Sequence, residues 1–284
     1  MKKNYKLIAT IPVIITLLAL VVIFVNGLNQ SIDVSGGTEI TILANNVNIN
    51  DLKSQLPAGA EIRTMKSSSG TYVIITLSKN INSDNVNEIL KNYFKVDDLN
   101  KLQYSQKEIG AALSGQFWKS SFTAVGFAFI FMAVVVWAIF RTPIPSGAIV
   151  LAAISDIIIA VAGMSIFGIP VSTATVAALL MLLGYSVDTD IMLTTKVLKR
   201  RKGSLDDRIK DAMKTGITMS ITTIFAMFVL YCVVTFMVPA AGLLKNIAAV
   251  ILFGLIADLM TTWMTNVGIL RYYVEEYKKN KVKK

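Results

Sequence analysis

Long runs of apolar residues, separated by short polar breaks, make up most of this 284-residue chain. Six of these runs reach about 20 residues, which is the length an α-helix needs to cross a hydrocarbon core of roughly 30 Å. The first run follows a basic N-terminus, but no small-residue cleavage site comes after it, so we expect an anchor helix that is not removed. The runs predict six transmembrane helices, at residues 7–25, 122–140, 146–167, 171–195, 217–238 and 247–270.

The long polar segment between the first and second runs alternates strand and helix patterns. Strands are predicted at 38–43, 61–65, 72–77 and 99–104, and helices at 50–56 and 83–94. Ser83 is the expected N-cap of the second helix, and residues 67–70 are the expected hairpin turn between the two central strands. The order β-α-β-β-α-β is that of the split βαβ, or ferredoxin-like, arrangement. The alternative is a loop of undefined fold.

Lysine and arginine concentrate at one set of helix ends, namely the N-terminus, the loop 196–214 and the tail 271–284. Because cytoplasmic loops carry an excess of basic residues, we expect both termini in the cytoplasm. The fold class predicted is a six-helix membrane protein with one small α+β extracytoplasmic domain. We expect the chain to divide into four parts: a tail and first helix at 1–25, the outer domain at 26–117, a five-helix bundle at 118–270 that includes the cytoplasmic loop 196–214, and the basic tail 271–284.

Composition narrows the possible functions. The net charge is +10, but the basic residues flank apolar spans instead of forming a patch interleaved with aromatic residues, so we expect no nucleic acid partner. The chain has one cysteine, Cys232, and no histidine, which makes a disulfide or a cysteine- or histidine-based metal site implausible. No G-x-x-x-x-G-K-[ST] loop is present. We therefore expect no cofactor, no metal, no catalytic residue and no enzymatic activity.

Four acidic residues lie inside predicted helices: Asp156, Asp188, Asp190 and Asp258. A charged side chain at the bilayer centre costs at least about 2.5–3.5 kcal/mol, so these acids have either a use or a partner. Asp188 and Asp190 are two residues apart, about 200° around a helix, so we expect one to face the bundle interior and the other a neighbouring helix or subunit. At 1.5 Å per residue, Asp156, Asp188 and Asp258 lie at similar depths.

Two interpretations of these acids stay open. In the first, they form a proton relay, because a carboxyl group in a membrane can bind a proton from one side and release it to the other. Lys196, at the cytoplasmic end of the fourth span, would then be a counter-charge. In the second, the acids are packing groups, hydrogen-bonded between helices or facing a partner subunit. We favour the relay for the acids as a group, whereas for Asp190 the sequence supports the two interpretations equally.

Four stretches resemble the SecF family of protein-export membrane proteins, and its archaeal form more closely. Residues 31–39 (SIDVSGGTE) follow the first span, and Asp156 lies in the third. Residues 184–186 (GYS) open the fourth-span motif, and residues 254–270 are similar to the archaeal last span. The resemblance covers essentially the whole chain. Each motif is weak alone, but their order and spacing together are specific.

The chain departs from the bacterial pattern of this family, which reads roughly G-Y-S-x-N-D-[ST] and then D-R-x-R-E. Asp188 stands at the asparagine, Asp190 at the serine or threonine, and Lys196 at the arginine of the Asp-Arg pair. Ser155 replaces the histidine that precedes Asp156 in the bacterial form. The resemblance implies that Asp156 is the proton-coupling acid and that Lys196 replaces the partner cation, although lysine and arginine are not equivalent.

The resemblance also implies a function. The chain would be the smaller subunit of the SecDF accessory complex, of the resistance-nodulation-division superfamily, in the cytoplasmic membrane. It would assist protein translocation, driven by the proton motive force. The implied partners are SecD, a SecYEG-type translocon, the secreted polypeptide and membrane lipid.

Three rival interpretations compete with this one. An intramembrane aspartyl protease is disfavoured, because the fourth span lacks G-x-G-D and Val238-Pro239-Ala240 lacks the leucine of P-A-L. A stand-alone proton-coupled exporter of small molecules is disfavoured, because its relatives have twelve spans and two large outer domains. A structural subunit without ion coupling, whose acids only bind SecD, stays open.

Overall fold

A computed structural model describes residues 5–44, 47–67, 70–199, 203–238 and 241–277. Six helices in it are long and apolar enough to cross a membrane, which confirms the six predicted spans. They are α1 (Tyr5–Asn26), α5 (Ala111–Phe140), α6 (Pro143–Phe167), α7 (Thr173–Leu198), α8 (Leu205–Met237) and a last span that starts with α9 (Gly242–Met260).

Several of these helices extend beyond the apolar runs. Helix α8 begins well before residue 217, because Ser204 forms a capping box with Asp207: the Asp207 N–H donates to the Ser204 hydroxyl, and the Ser204 N–H donates to the Asp207 carboxylate. Helix α5 begins at Ala111, so it extends into the segment 26–117 that the sequence predicts as the outer domain. Apolar runs predict only the membrane-embedded part of a helix, and capping decides where the helix begins.

The segment between α1 and α5 forms the predicted α+β domain. Its strands lie in the order β2-β3-β1-β4 with antiparallel neighbours, which is the sheet of the ferredoxin-like arrangement and confirms that prediction. The elements are α2 (Ile32–Ser35), β1 (Gly37–Leu43), α3 (Ile49–Gln55), β2 (Glu61–Ser67), β3 (Gly70–Leu77), α4 (Ser83–Phe94) and β4 (Ser105–Ile109).

The closing strand was predicted wrongly. Strand β4 is Ser105–Ile109, whereas the predicted strand at 99–104 begins as a 3₁₀ helix, Leu99–Leu102. Leu99 and Leu102 pack into the domain core. These two leucines are therefore apolar because they pack into the core beside the sheet, and not because they belong to a strand of the sheet.

Two smaller predictions concern the ends of elements. The N-cap of α4 is Asn82 and not Ser83, because the Asn82 side chain accepts a hydrogen bond from the Asp84 N–H at 2.8 Å. The predicted hairpin turn at 67–70 includes residues 68 and 69, which lie outside the described residues.

One face of the sheet is covered by α3 and α4. Ile40 and Ile42 point to this covered face, while the alternating residues Glu39 and Thr41 border a cavity of about 760 Å³ between the sheet and the nearby ends of the bundle helices. The domain core consists mainly of buried aliphatic side chains, including Ile40, Ile42, Leu52, Val73, Ile75, Leu77, Val86 and Leu90.

Helices α6, α7 and α9 form the centre of the membrane bundle. Between 39% and 44% of each of their apolar segments is buried, against 11% for α1, α5 and α8. Gly254 lets α9 approach α7 closely, since a Cβ atom at this position would lie 2.0 Å from Leu182 Cδ2. The two helices that carry Asp190 and Asp258 are therefore packed directly against each other.

The last span changes its helical geometry at its middle. After α9 it continues as a π-helix, Thr261–Asn266, then as α10 (Val267–Tyr272) and a second π turn, Tyr273–Tyr277. π turns are rare in proteins, and those that do occur are frequently found at functional sites.

Candidate functional site

Three of the four predicted acids meet in the centre of the bundle. Asp156 of α6, Asp190 of α7 and Asp258 of α9 each have a relative exposure of 0%. We call these three side chains the acid cluster. It draws one carboxyl group from each of the three central helices, so the packing of α6, α7 and α9 holds it together.

Asp156 accepts one hydrogen bond on each carboxyl oxygen. The Ser186 hydroxyl of α7 donates to Oδ2 at 2.6 Å, and the Thr261 hydroxyl of the π-helix donates to Oδ1 at 2.6 Å. Both distances lie within the normal range for O–H···O hydrogen bonds. Asp156 is thus tied to both other helices of the cluster.

Asp190 and Asp258 share a hydroxyl group. Thr262 Oγ1 lies 2.8 Å from Asp190 Oδ1 and 3.0 Å from Asp258 Oδ1. Asn266 Nδ2 also donates to Asp190 Oδ1, at 2.6 Å. One threonine therefore bridges the carboxyl groups of α7 and α9.

The π-helix explains how one short segment supplies three donors. A π-helix has i→i+5 hydrogen bonds and therefore a wider turn than an α-helix. Residues five apart, such as Thr261 and Asn266, lie near the same face, with Thr262 next to them. All three side chains are buried, with exposures of 1% or less. The wider turn of the π-helix directs these polar groups towards Asp156 and Asp190.

Several buried polar atoms of the site lack a hydrogen-bond partner among the described residues. Asp190 Oδ2, Asp258 Oδ2, Asn266 Oδ1 and Thr194 Oγ1 are all in this state. Buried polar atoms of this kind are uncommon in folded proteins, and each calls for an explanation. Asp190 Oδ2 and Asp258 Oδ2 can each bind a proton, and a protonated carboxyl group becomes a hydrogen-bond donor.

No lysine or arginine in the described part of the chain forms an ion pair with the acid cluster. Lys196 lies elsewhere: its Nζ donates to Thr215 Oγ1 at 2.7 Å and pairs with the Asp211 carboxylate of α8 at 3.3 Å. Lys196 is six residues beyond Asp190, about 9 Å along the helix. The expected counter-charge geometry between Lys196 and the acids is therefore not found in this structure.

The structure also separates Asp188 from the other acids. The prediction that only one of the two neighbouring aspartates faces the interior is confirmed, since Asp190 is buried and Asp188 is exposed on the bundle surface. It is Asp190, and not Asp188, that joins Asp156 and Asp258. Asp188 makes no hydrogen bond or ion pair with another described residue.

A second polar contact, which the sequence did not assign, joins the outer domain to the bundle. Asp33 of the SIDVSGG stretch accepts from Lys107 Nζ of β4 at 2.7 Å and from the Thr173 N–H, at the start of α7, at 3.3 Å. We call this contact the Asp33 clamp. It connects the sheet directly to the helix that carries Asp190.

Main-chain hydrogen bonds reinforce the clamp. The Ser31 N–H donates to the Val171 carbonyl at 3.0 Å, and the Val171 N–H donates to the Asn29 carbonyl at 2.8 Å. The Asn29 side chain donates to the Gly168 carbonyl at 3.3 Å. The connection between α1 and the sheet is therefore attached to the turn between α6 and α7. The glycines and the aspartate of this stretch were visible in the sequence, but their distant partners were not.

These features define a class of protein: a six-span membrane bundle with a buried acid cluster, attached through a polar clamp to a ferredoxin-like domain between the first two spans. The model of the family "Protein export membrane protein SecD/SecF, C-terminal" matches residues 88–276. The chain is 51% identical over 283 residues to the protein-export membrane protein SecF of Methanocaldococcus jannaschii, covering 99% of this chain and 100% of that protein. The chain belongs to the SecF family of protein-export membrane proteins.

Further comparisons agree with this assignment. SecF of Methanothermobacter thermautotrophicus is 47% identical over 277 residues, covering 96% of this chain and 94% of that protein. The crystal structure of SecDF, a translocon-associated membrane protein from Thermus thermophilus, shares the fold with a TM-score of 0.74 at 19% identity. That match covers 96% of this chain but only 38% of the SecDF chain.

Proposed function

We propose that this chain is the SecF subunit of a SecDF-type complex and that proton binding and release at the acid cluster drive its part in protein export. The observation that carries the proposal is the cluster itself. The three fully buried carboxyl groups form hydrogen bonds with hydroxyl and amide groups, and no lysine or arginine among the described residues forms an ion pair with them.

The chemistry of the cluster favours proton exchange. Removing an ionised carboxylate from water costs several kcal/mol after relaxation, and neighbouring carboxylates repel each other, so three simultaneous charges are strongly disfavoured. The Thr262 hydroxyl has one hydrogen and lies within hydrogen-bond distance of Asp190 and Asp258. Its single hydrogen makes one strong hydrogen bond, and a proton on the other carboxyl group would let that group donate to the Thr262 oxygen.

The Asp33 clamp supports a path from the cluster to the outer domain. Helix α7 carries Asp190 in its interior, and its first residue, Thr173, donates to Asp33. A shift of α7 that follows proton binding would therefore act on Asp33, Lys107 and the sheet. Movement of the outer domain is how we propose that the complex assists the emerging polypeptide.

The proposed assembly includes further partners. SecD would supply the other half of the complex, beside a SecYEG-type translocon in the lipid membrane, and a secreted polypeptide would be the substrate. We propose that both termini are cytoplasmic, because the basic residues of the N-terminus, the loop 196–214 and the tail 271–284 would then lie on the inner side. The ferredoxin-like domain would lie outside.

The proposal is tested by export into inverted membrane vesicles that contain the assembled complex, with and without an uncoupler. Asp156→Asn keeps the shape of the side chain but removes the exchangeable proton, so we expect loss of the uncoupler-sensitive part of export. Glu88→Gln, a neutralised acid on the exposed surface of α4, is the matched control and should leave export unchanged.

Assembly is measured in the same vesicles by co-purification of the partner subunit. If Asp156→Asn assembles normally and exports with full uncoupler sensitivity, proton coupling through the cluster is refuted. The acids would then be structural groups, as in the interpretation of a subunit without ion coupling.

A further inference from the structure

We infer that the cavity between the sheet and the bundle binds a membrane lipid, with an anionic head group at Lys245 and an apolar chain against the ends of α6, α8 and α9. We call this cavity, of about 760 Å³, the sheet–bundle cavity. Its volume lies within the range of about 300–1,000 Å³ that is typical of ligand pockets. The inference goes beyond the proposed function, because it does not depend on proton exchange at the acid cluster.

The apolar wall of the cavity is a recess between helix ends. Phe167 is the last residue of α6, yet its ring stacks on that of Phe253, with 5.0 Å between the ring centroids. Phe253 lies eleven residues after Gly242, the first residue of α9, so α9 extends about 16 Å beyond the end of α6. The turn between α6 and α7 is therefore recessed by about half the thickness of a hydrocarbon core.

The paired ends of α8 and α9 beside this recess are apolar. Phe236, Met237 and Leu243 are large side chains that are more than half exposed. Phe167 and Phe228 line the cavity and are also more than half exposed. Exposed apolar residues that lie together mark contacts with a membrane or a protein, and the helices that carry these residues are candidate membrane spans. Ends that lie in hydrocarbon place the recess at the same level, so lipid reaches it.

The opposite wall of the cavity is the polar face of the sheet. Glu39 lies between Thr76 of β3 and Lys107 of β4 in the ladder, and all three border the cavity. Thr41 and Ser105, which pair in the next row of the same face, border it as well. A cavity with one polar and one apolar wall fits a ligand that is itself amphipathic, because each part of the ligand then meets a wall of its own polarity.

The charges on the lining favour an anionic head group. The described lining residues include three basic and two acidic side chains: Arg63, Lys107, Lys245, Asp33 and Glu39. Lys107 pairs with Asp33 at 2.7 Å, whereas Lys245 forms no ion pair with a described residue. The Lys245 Nζ lies 5.6 Å from the centroid of the Tyr231 ring. Lysines near a membrane surface attract anionic head groups, so Lys245 is the cation available to the ligand.

The positions of the two binding groups match the length of a lipid chain. Lys245 and Phe253 are eight residues apart on α9, which is about 12 Å along the helix axis. Lys245 lies near the end of the helix, and Phe253 lies at the base of the recess. A head group at Lys245 therefore directs the chain towards Phe253 and Phe228, which both line the cavity.

A polypeptide fits the sheet–bundle cavity less well than a lipid. Each residue of a polypeptide other than proline brings a backbone donor and an acceptor, and both need partners when they leave water. The central strands β1 and β3 are already paired on both sides, so the middle of the sheet offers no free backbone groups to the cavity. A lipid chain has no polar groups to satisfy against the apolar wall.

Photolabelling of the purified full chain in phosphatidylcholine nanodiscs tests the inference. The nanodiscs contain a trace of phosphatidylglycerol or of phosphatidylcholine with a photoreactive diazirine in the acyl chain, and labelled peptides are identified by mass spectrometry. The exposed residues Leu17 and Val21 of α1 report general contact with the membrane. After normalisation to α1, we expect phosphatidylglycerol to label peptides containing Phe228 or Phe253 at least fivefold more than phosphatidylcholine does.

Three variants and a control separate specific binding from general contact. Lys245→Glu should abolish the preference for phosphatidylglycerol, because it repels an anionic head group, and Lys245→Arg should retain it. Lys119→Glu is the matched control, since Lys119 is exposed near the start of α5 but does not border the cavity. Thr41→Trp fills part of the cavity and should reduce labelling of the same peptides by both lipids at least threefold.

Three outcomes would overturn the inference. Equal labelling of these peptides by the two lipids would mean that the cavity does not select an anionic head group. A preference that persists in Lys245→Glu would mean that Lys245 does not bind the head group. Labelling that is unchanged in Thr41→Trp would mean that the lipid contacts the outside of the bundle and not the cavity. Capture of the cavity by a photoreactive secreted polypeptide, with no preference between the lipids, would assign it to the polypeptide.

The result can be told apart from that of the export assay. Labelling is measured without a proton gradient, and Asp156→Asn leaves the lining of the cavity unchanged, so this variant should be labelled as the native chain is. Normal labelling together with unchanged export in Asp156→Asn would refute the proposed function alone. Loss of export in Asp156→Asn without selective labelling of the native chain would refute the lipid site alone.

Discussion

The Thr262 hydroxyl bridges two of the buried carboxyl groups, so its removal should affect both. Thr262→Val preserves shape but leaves Asp190 and Asp258 without their shared contact. An unsatisfied buried polar group costs about 1–3 kcal/mol, so we expect a lower midpoint of thermal unfolding in detergent and weaker proton-driven export. Thr262→Ser keeps the hydroxyl and should remain close to the native chain in both measurements.

Thr222→Val is a useful comparison. This threonine is exposed, and its hydroxyl bonds only to carbonyl groups of its own helix, so its removal should change little. If Thr262→Val is as stable and as active as Thr222→Val, the bridge has no role in holding or coupling the acids.

The sequence predicted the acids and their polar neighbours, but not which of them meet. Asp188 and Asp190 were correctly placed on opposite faces, because the helical repeat requires it. Which face is buried could not be read from the pattern, since lipid is as apolar as a protein interior and the residues on both faces are apolar. Thr261 and Asn266 were visible as polar residues, yet only the π-helix brings both towards the acids.

Close packing of α7 against α9 is the feature that keeps the acid cluster compact. A Cβ atom at Gly254 would overlap Leu182 Cδ2 at 2.0 Å, so Gly254→Ala should cost about 1–3 kcal/mol through overpacking. Gly126→Ala in α5 is the matched control, because nothing lies within 4 Å of its added Cβ atom. The midpoint of thermal unfolding in detergent measures both.

The Leu182→Ala substitution tests whether this cost arises at the contact itself. It removes the atoms that a Cβ atom at Gly254 would overlap, so the double variant should be more stable than the sum of the two single changes predicts. Strict additivity of the two changes would contradict the packing explanation.

The Asp33 clamp is the element that connects the sheet to α7. Asp33→Ala removes the acceptor of both Lys107 and the Thr173 N–H, so we expect reduced proton-driven export with the acid cluster intact. Glu61→Ala breaks the exposed Glu61–Arg63 pair within β2 and is the control, because exposed ion pairs contribute little. Export and distance measurements between spin labels on the sheet and on α7 report the effect. An Asp33→Ala chain with native export and native distances would exclude a coupling role.

At the scale of the whole molecule, the sequence predicted the six spans and the α+β domain between the first two, with three of its four strands. These features depend on local patterns: run length for the spans, and alternation with turn residues for the strands. The Asp33 clamp and the acid cluster depend on contacts between residues far apart in the chain, such as Asp33 with Lys107 and Asp156 with Thr261. Such contacts follow from the packed fold and have no local signature.

The central claim is that the acid cluster moves protons, and the most direct test is proton flux itself. The purified complex of this chain with its partner subunit is placed in liposomes that enclose a pH-sensitive dye, and a pH gradient is imposed. We predict flux through the native complex and loss of that flux with Asp156→Asn, while Glu88→Gln behaves as the native chain. Equal flux through the native and Asp156→Asn complexes would contradict the account.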